Sequence, residues 1–155
     1  MGTSPRVAIL LGSKSDEGHL KPTTELLDRF GIEWELKVIS AHRQPEALHE
    51  YVRRADAGGT LVFIAAAGLS AALPGVIGSI SLHPVIGLPI PGGALNGIDA
   101  LLSMVQMPGG VPVATVGVGS NGSKNAAILA AQMIALSDPK VAKTLSVYRD
   151  ELRAG

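Results

Sequence analysis

"RVAILLGSKSD" runs from Arg6 to Asp16 and decides the fold. The apolar run Arg6–Leu11 has no polar interruption and no alternation, which is the pattern of a strand covered on both faces. Gly12 stops it. Two serines and an acid, Ser13, Ser15 and Asp16, follow before any helical spacing begins. A doubly covered strand running into a polar turn and then a helix belongs in a parallel sheet.

Working outward, the same alternation continues. Leu20, Leu26, Leu27 and Phe30 predict a helix over 18–30, with Pro22 in its first turn and Gly31 as its stop. Glu33–Ser40 alternates and reads as a second strand. Pro45 opens a helix to about Ala57, closed by Gly58 and Gly59. Thr60–Ala66 is strand three, Ser70–Ile80 a short helix in which Pro74 must lie near the start, and Pro84–Pro89 strand four. Gly97–Val105 reads as a helix and Val111–Val118 as strand five. Asn125–Leu136 is an Ala-rich helix, apolar almost all round, which implies burial, with another subunit as one possible cover. Asp138 caps a charged terminal helix through Arg153, with Pro139 in its first turn. The expectation is an α/β protein: one domain over 1–155, a three-layer doubly wound parallel sheet with a C-terminal helix.

Composition narrows the function. The chain has 155 residues, 46% hydrophobic and 17% charged, which is too apolar for disorder and favours buried subunit contacts. The formal net charge is +0, so no basic excess points to nucleic acid or an anionic membrane. Cysteine is absent, which removes disulfides, thiol nucleophiles and thiolate metal sites. The N-terminal apolar run is too short for a signal peptide, and Pro, Gly, Ser and Asn interrupt every longer stretch. A soluble cytoplasmic protein is expected.

Ligands of doubly wound sheets bind beyond the carboxyl ends of the strands. The loops 12–18, 40–45, 66–75, 87–97 and 117–124 are therefore the places to look. In the first, Gly12 lets the chain approach a ligand, Ser13 and Ser15 offer hydroxyls, and amides at a helix start favour an anion. Asp16 would repel a phosphate but suits sugar hydroxyls. Helix capping by Ser15 or Asp16 is the other reading. In the second, Ser40–Pro45 places His42 and Arg43 directly after a strand: a proton carrier and an anion holder, or a surface pair. The third, Ala66–Gly75, is small and apolar, able to close its amides on a flat ligand or to pack as a tight turn.

Other features carry less. Gly117–Gly122, "GVGSNG", fits the dinucleotide fingerprint, but it follows the last strand and no later strand ends in an acid for a ribose. "GLSAA" lacks the second glycine of a nucleophile elbow. His49 sits mid-helix, and His19 and His83 lie near loops. The four histidines lack metal-ligand spacing, so no metal is expected.

Taken together, "GSKSD" (12–16), "SAHRQP" (40–45), "AALPG" (71–75), "PVIGLP" (84–89) and "QMPGGVPVATV" (106–116) resemble the PurE family, in its order, over about Arg6 to Leu136. The resemblance implies synthesis of 4-carboxy-5-aminoimidazole ribonucleotide in purine synthesis, without metal, ATP or biotin, by octamers. It implies that Ser13 and Ser15 meet the ribose phosphate, that Asp16 meets ribose hydroxyls, and that Ser40 and Arg43 bind substrate. His42 would be the proton shuttle at the ring carbon that takes the carboxylate. Gly12, Ala41, Ala67, Gly68, Ser70 and Leu73 would complete the substrate contacts.

The family has a mutase branch, which moves a carboxylate from N5 to carbon, and a carboxylase branch, which uses free CO2. "SAHRQP" and the later motifs resemble the mutases, whereas Gly18, His19 and Lys21 resemble the carboxylases. Leu69, Ala71 and Ala72 match neither branch's polar residues in the third loop, and His19 is a candidate for the missing imidazole. The mutase is the first reading and direct carboxylation the alternative. A flavodoxin-like nucleotide-binding module without catalysis is the reading from another class, and a carboxylase acting on another heteroaromatic ribonucleotide is a further one.

Overall fold

The computed structural model describes residues 5–155, so the reading of the first four lies outside the described residues. The elements are β1 (Val7–Leu11), a 3-10 helix (Lys14–Leu20), α1 (Lys21–Arg29), β2 (Trp34–Val38), α2 (Pro45–Gly58), β3 (Val62–Ala67), α3 (Leu73–Ile80), β4 (Val85–Pro89), α4 (Ile98–Val105), β5 (Ala114–Thr115), α5 (Ser120–Ala135) and α6 (Pro139–Ala154). All strand pairs are parallel, and the order across the sheet is β2-β1-β3-β4-β5. This is a flavodoxin-like doubly wound α/β fold with a C-terminal helix, as the alternation of elements predicts.

The uninterrupted apolar strands are explained by cover on both sides. Val7, Ile9 and Leu11 of β1 face a core shared with α1, α5 and α6, while Ala8 and Leu10 face one shared with α2, α3 and α4. β3 and β4 divide their side chains in the same way. β2 lies at the edge and is only partly buried, with Lys37 and Glu35 paired at 3.2 Å on it. Charged residues on an edge strand discourage pairing with other chains.

Helix boundaries follow proline chemistry. Pro22, Pro45, Pro74 and Pro139 each occupy the first or second position of a helix, where a missing N–H costs nothing. At the end of α1, Gly31 takes φ +68, its amide bonds the Asp28 carbonyl and the Ile32 amide bonds Leu27. That pair of bonds is a Schellman motif and needs a left-handed residue.

α6 is pinned at both ends. Arg6 Nη1 donates to Asp138 Oδ2 at 2.7 Å, and Asp138 Oδ1 accepts from the amides of Lys140 and Val141. Further along, Tyr148 packs edge-on to Phe30 at 5.5 Å, under the Arg29 guanidinium, and Arg29 pairs with Glu151. On the other face, the Tyr51 hydroxyl of α2 donates to Glu35 Oε1 at 2.8 Å. Burial first, and the Glu35 carboxylate second, push its pKa well above the usual value, so it stays a donor.

Three expectations need correction. The predicted helix over 18–30 is two elements, because a 3-10 helix over Lys14–Leu20 precedes α1. Strand five shrinks from 111–118 to Ala114–Thr115: Pro112 has no N–H for a ladder, and Gly117 and Gly119 let the chain turn away. The Ala-rich helix starts at Ser120, not Asn125, and its buried face (Ala126, Ala127, Ala130, Ala131 and Ile134) is covered within the chain by the sheet, α1 and α6. Its outer side, with Lys124, Asn125 and Gln132, is exposed. Among the described residues, no helix is long and apolar enough to cross a membrane.

Candidate active site

The strand register places the site. Leu11 lies opposite Val38 on one side and Ala66 on the other, and Ala66 lies opposite Leu88. Four strands therefore end in one row. Ladder bonds continue past the row, from the amides of Ile39, Gly12 and Ile90 to the carbonyls of Leu11, Ala66 and Ala67. The loops leave side by side at the point where the chain reverses direction across the sheet, between β1 and β3.

A cavity of about 660 Å³ opens there, within the range of small-molecule sites. Its walls come from four loops. The first gives Gly12, Ser13, Ser15 and Asp16; the second Ser40, Ala41, His42 and Arg43; the third Ala67 to Leu73; the fourth Ile90 to Gly93. Every residue expected to bind substrate or shuttle protons lines it. His19 does not: it is exposed at the end of the 3-10 helix. The Ser123 hydroxyl there bonds the His19 carbonyl at 2.7 Å. His83 sits just before the start of β4, at the opposite end of the sheet, and His49 is exposed on α2.

The first two loops are polar and interlocked. Ser13, not Ser15 or Asp16, is the helix cap, its hydroxyl accepting from the Ser15 amide at 3.4 Å. The Ser13 and Ser15 hydroxyls lie 2.8 Å apart, and Ser15 Oγ donates to Asp16 Oδ1 at 3.1 Å. The turn starts a 3-10 helix, so the dipole of a long α-helix does not back it, and what it offers the cavity is its hydroxyls and amides. Ser40 is buried and holds the second loop: its Oγ accepts from the Arg43 amide, and its own amide donates to Gln44 Oε1. Arg43 reaches back to the Gly12 carbonyl at 3.3 Å, which sets its guanidinium over the first loop. His42 stands between them, exposed to the cavity.

The third and fourth loops are apolar and close-fitting. A Cβ on Gly68 would touch the Ile90 carbonyl oxygen at 3.4 Å, so the loops pack backbone to backbone. The fourth loop's contribution, Ile90–Gly93, could be anticipated only by its place after a strand, since it carries no polar side chain.

The fifth loop takes no part in the cavity. Its glycines serve packing instead: a Cβ on Gly122 would overlap the Gly117 carbonyl oxygen. Thr23 Oγ1 bonds the Ser123 carbonyl at 2.7 Å, drawing this turn onto α1. The dinucleotide-like spacing of 117–122 is thus a tight helix start.

These features put the chain among flavodoxin-like α/β proteins, whose ligands sit over the switch point of the sheet. Comparison with known proteins narrows the class. Residues 6–154 match the family model described as AIR carboxylase. The N5-carboxyaminoimidazole ribonucleotide mutase of Pyrococcus abyssi is 49% identical, over 96% of this chain and 84% of that protein. The mutase of Thermotoga maritima is 46% identical, over 96% and 86%. The crystal structure of Treponema denticola PurE superposes with a TM-score of 0.87 at 32% identity, covering 96% of this chain and 91% of that one. The chain belongs to the PurE, or AIR carboxylase, family.

Proposed function

We infer that the chain is an N5-carboxyaminoimidazole ribonucleotide mutase acting in purine biosynthesis. What carries the reading is a cavity with two unlike halves, in a chain whose relatives at 44–49% identity bear that name. The polar half suits a ribonucleotide: Ser13 and Ser15 meet the phosphate, Asp16 accepts from ribose hydroxyls, and Arg43 adds positive charge. The apolar half suits neutral CO2.

The chemistry balances on one proton. Breaking the N5–carboxylate bond releases CO2 and places a proton on the nitrogen. Attack of C4 on CO2 makes the new carbon–carbon bond and releases the C4 proton. His42 gives the first and takes the second, so the imidazole ends as it began. Ser40 keeps the loop bearing His42 in place. Ala41, Ala67, Gly68, Ser70 and Leu73 shape the wall against the ring, and no metal or organic cofactor enters the scheme. The chain acts as a homo-oligomer, an octamer by family resemblance, in the cytoplasm.

The test supplies purified protein with the N5-carboxylated nucleotide at low CO2, and separately with 5-aminoimidazole ribonucleotide plus bicarbonate, following the C4-carboxylated product. Product from the first, beyond spontaneous decay, is the expected result. Product only from the second, rising with CO2, would make the enzyme a direct carboxylase. Product from neither would leave a nucleotide-binding module.

A further inference from the structure

Leu69 is anomalous. It is one of two non-glycine residues with positive φ among the described residues, at φ +54. A leucine is disfavoured there, because its Cβ crowds the following carbonyl. It is also half-exposed, so the core does not hold it in place. Its neighbours maintain the conformation. The Ala71 amide bonds the Leu69 carbonyl at 2.9 Å and the Ala72 amide bonds Ser70 at 2.8 Å. Across the cavity mouth, Gly93 is at φ +63, and a Cβ there would stand 2.6 Å from Leu69 Cδ2. The fourth loop has thus given up a side chain where the Leu69 side chain rests.

Both residues line the cavity, at its apolar half with Ala71, Ala72, Leu73 and Ile90. The only side-chain polar atom the third loop brings there is the Ser70 hydroxyl; the charged groups Asp16 and Arg43 belong to the first two loops. An anion would find one hydroxyl and no charged side chain in this half, whereas a neutral, weakly hydrated molecule would lose little there.

We propose that Leu69, seated on Gly93, is the plug that retains CO2 between its release from nitrogen and its capture by carbon. This rests on the mutase reading above. Between those steps the gas has no covalent or ionic tether. Whether it reacts or escapes then depends on the walls alone, and a branched apolar side chain across the mouth slows both its exit and the entry of water. The backbone strain at Leu69 is sustained because the two hydrogen bonds and the Gly93 contact over-determine it.

The experiment uses substrate with a 13C carboxylate, unlabelled bicarbonate in excess, and carbonic anhydrase to equilibrate escaped gas. The fraction of product carrying 13C is the readout. It is a ratio, so a change in overall rate does not move it. Wild type is expected to keep most of the label. Leu69→Gly, which also relieves the positive φ and so spares folding, is expected to retain several-fold less and to release free 5-aminoimidazole ribonucleotide. Leu69→Met, apolar and of similar length, is expected to restore retention. Equal retention in wild type and Leu69→Gly would overturn the plug, as would a wild type that keeps no label or a Leu69→Gly variant that consumes no substrate. A wild type that makes no product from the N5 compound would instead overturn the mutase reading, and the proposal with it.

Discussion

At the scale of the residue, the turn after β1 and the loop after β2 divide the labour. The Ser13 and Ser40 hydroxyls each accept a backbone amide that shapes the loop, and they line the cavity beside Ser15, Asp16, His42 and Arg43. His42→Asn keeps the size of the side chain and removes its proton chemistry. Turnover is expected to fall by about 10²- to 10⁴-fold, while nucleotide affinity measured by calorimetry stays within a few-fold; lost affinity with normal turnover per bound substrate would contradict the shuttle role. The loops of the candidate site could be placed in the sequence because ligands of doubly wound sheets bind beyond the carboxyl ends of the strands. By spacing alone the serine turn also fitted a helix cap and the His-Arg pair a surface pair, and only the family motifs taken together favoured a site. Two things were not. Nothing local separates Ser13 from Ser15 as the cap, since both are serines within one turn and the choice depends on where the 3-10 helix starts. His19 has a suggestive type and position, but the 3-10 helix carries it away from the cavity, and only the assembled fold shows that.

At the scale of the element, the sheet and the helix starts were readable, and the junctions were not. β1, β3 and β4 declare themselves by apolar runs covered on both faces, and four helices by a proline in the first turn. β5 is two residues long because proline and glycine flank it, yet its valine-rich sequence scores as a full strand; propensity gave way to hydrogen-bond supply. The start of α5 was hidden in the same stretch, where the glycine spacing suggests a ligand and serves a packing contact. Gly122→Ala is expected to cost about 3 kcal/mol, read by denaturant unfolding, because the clashing atom is the backbone oxygen of Gly117. Gly18→Ala, where a Cβ meets open space, should change stability by less than about 0.5 kcal/mol. α6 supplies the pH dependence. Arg6 first, then the amides of the helix start, hold the Asp138 carboxyl below its ordinary 3.8. A lowered folded-state pKa means the stabilisation is complete above the unfolded value and is lost as pH falls through the folded one. Asp138→Asn keeps the cap and loses the ion pair; Asp138→Ala loses both. Melting temperatures at pH 7 should fall from wild type to Asn to Ala. The gap between wild type and Asn should close as pH drops below 3.8, and a gap that widened instead would contradict this assignment.

At the scale of the whole molecule, the apolar content raises the question of what lies on the surface. The Ala-rich helix, which suggested a subunit contact in the sequence, is covered by its own chain, so the surplus must sit elsewhere. Leu95, Ile98, Leu102 and Val105 line up along α4 and the turn before it, each at least half-exposed, and Leu82 and Leu136 are almost wholly so. Aliphatic side chains grouped on one helix face mark an association surface. Completing the burial of four half-exposed side chains gains about 1 kcal/mol each. A two-fold pair of such stripes would gain about 8 kcal/mol. Association itself costs roughly 4–15 kcal/mol, so the α4 stripe alone sits near balance and needs contributions from other faces. The balance makes the proposed assembly sensitive to a single charge. Light scattering at micromolar concentration should show an oligomer for wild type, and Leu102→Asp, at a position whose side chain already meets water in the isolated chain, should lower the mass without lowering secondary structure. A wild-type monomer would remove assembly from the proposed function, and an oligomer whose mass Leu102→Asp leaves unchanged would place the contact on a face other than α4.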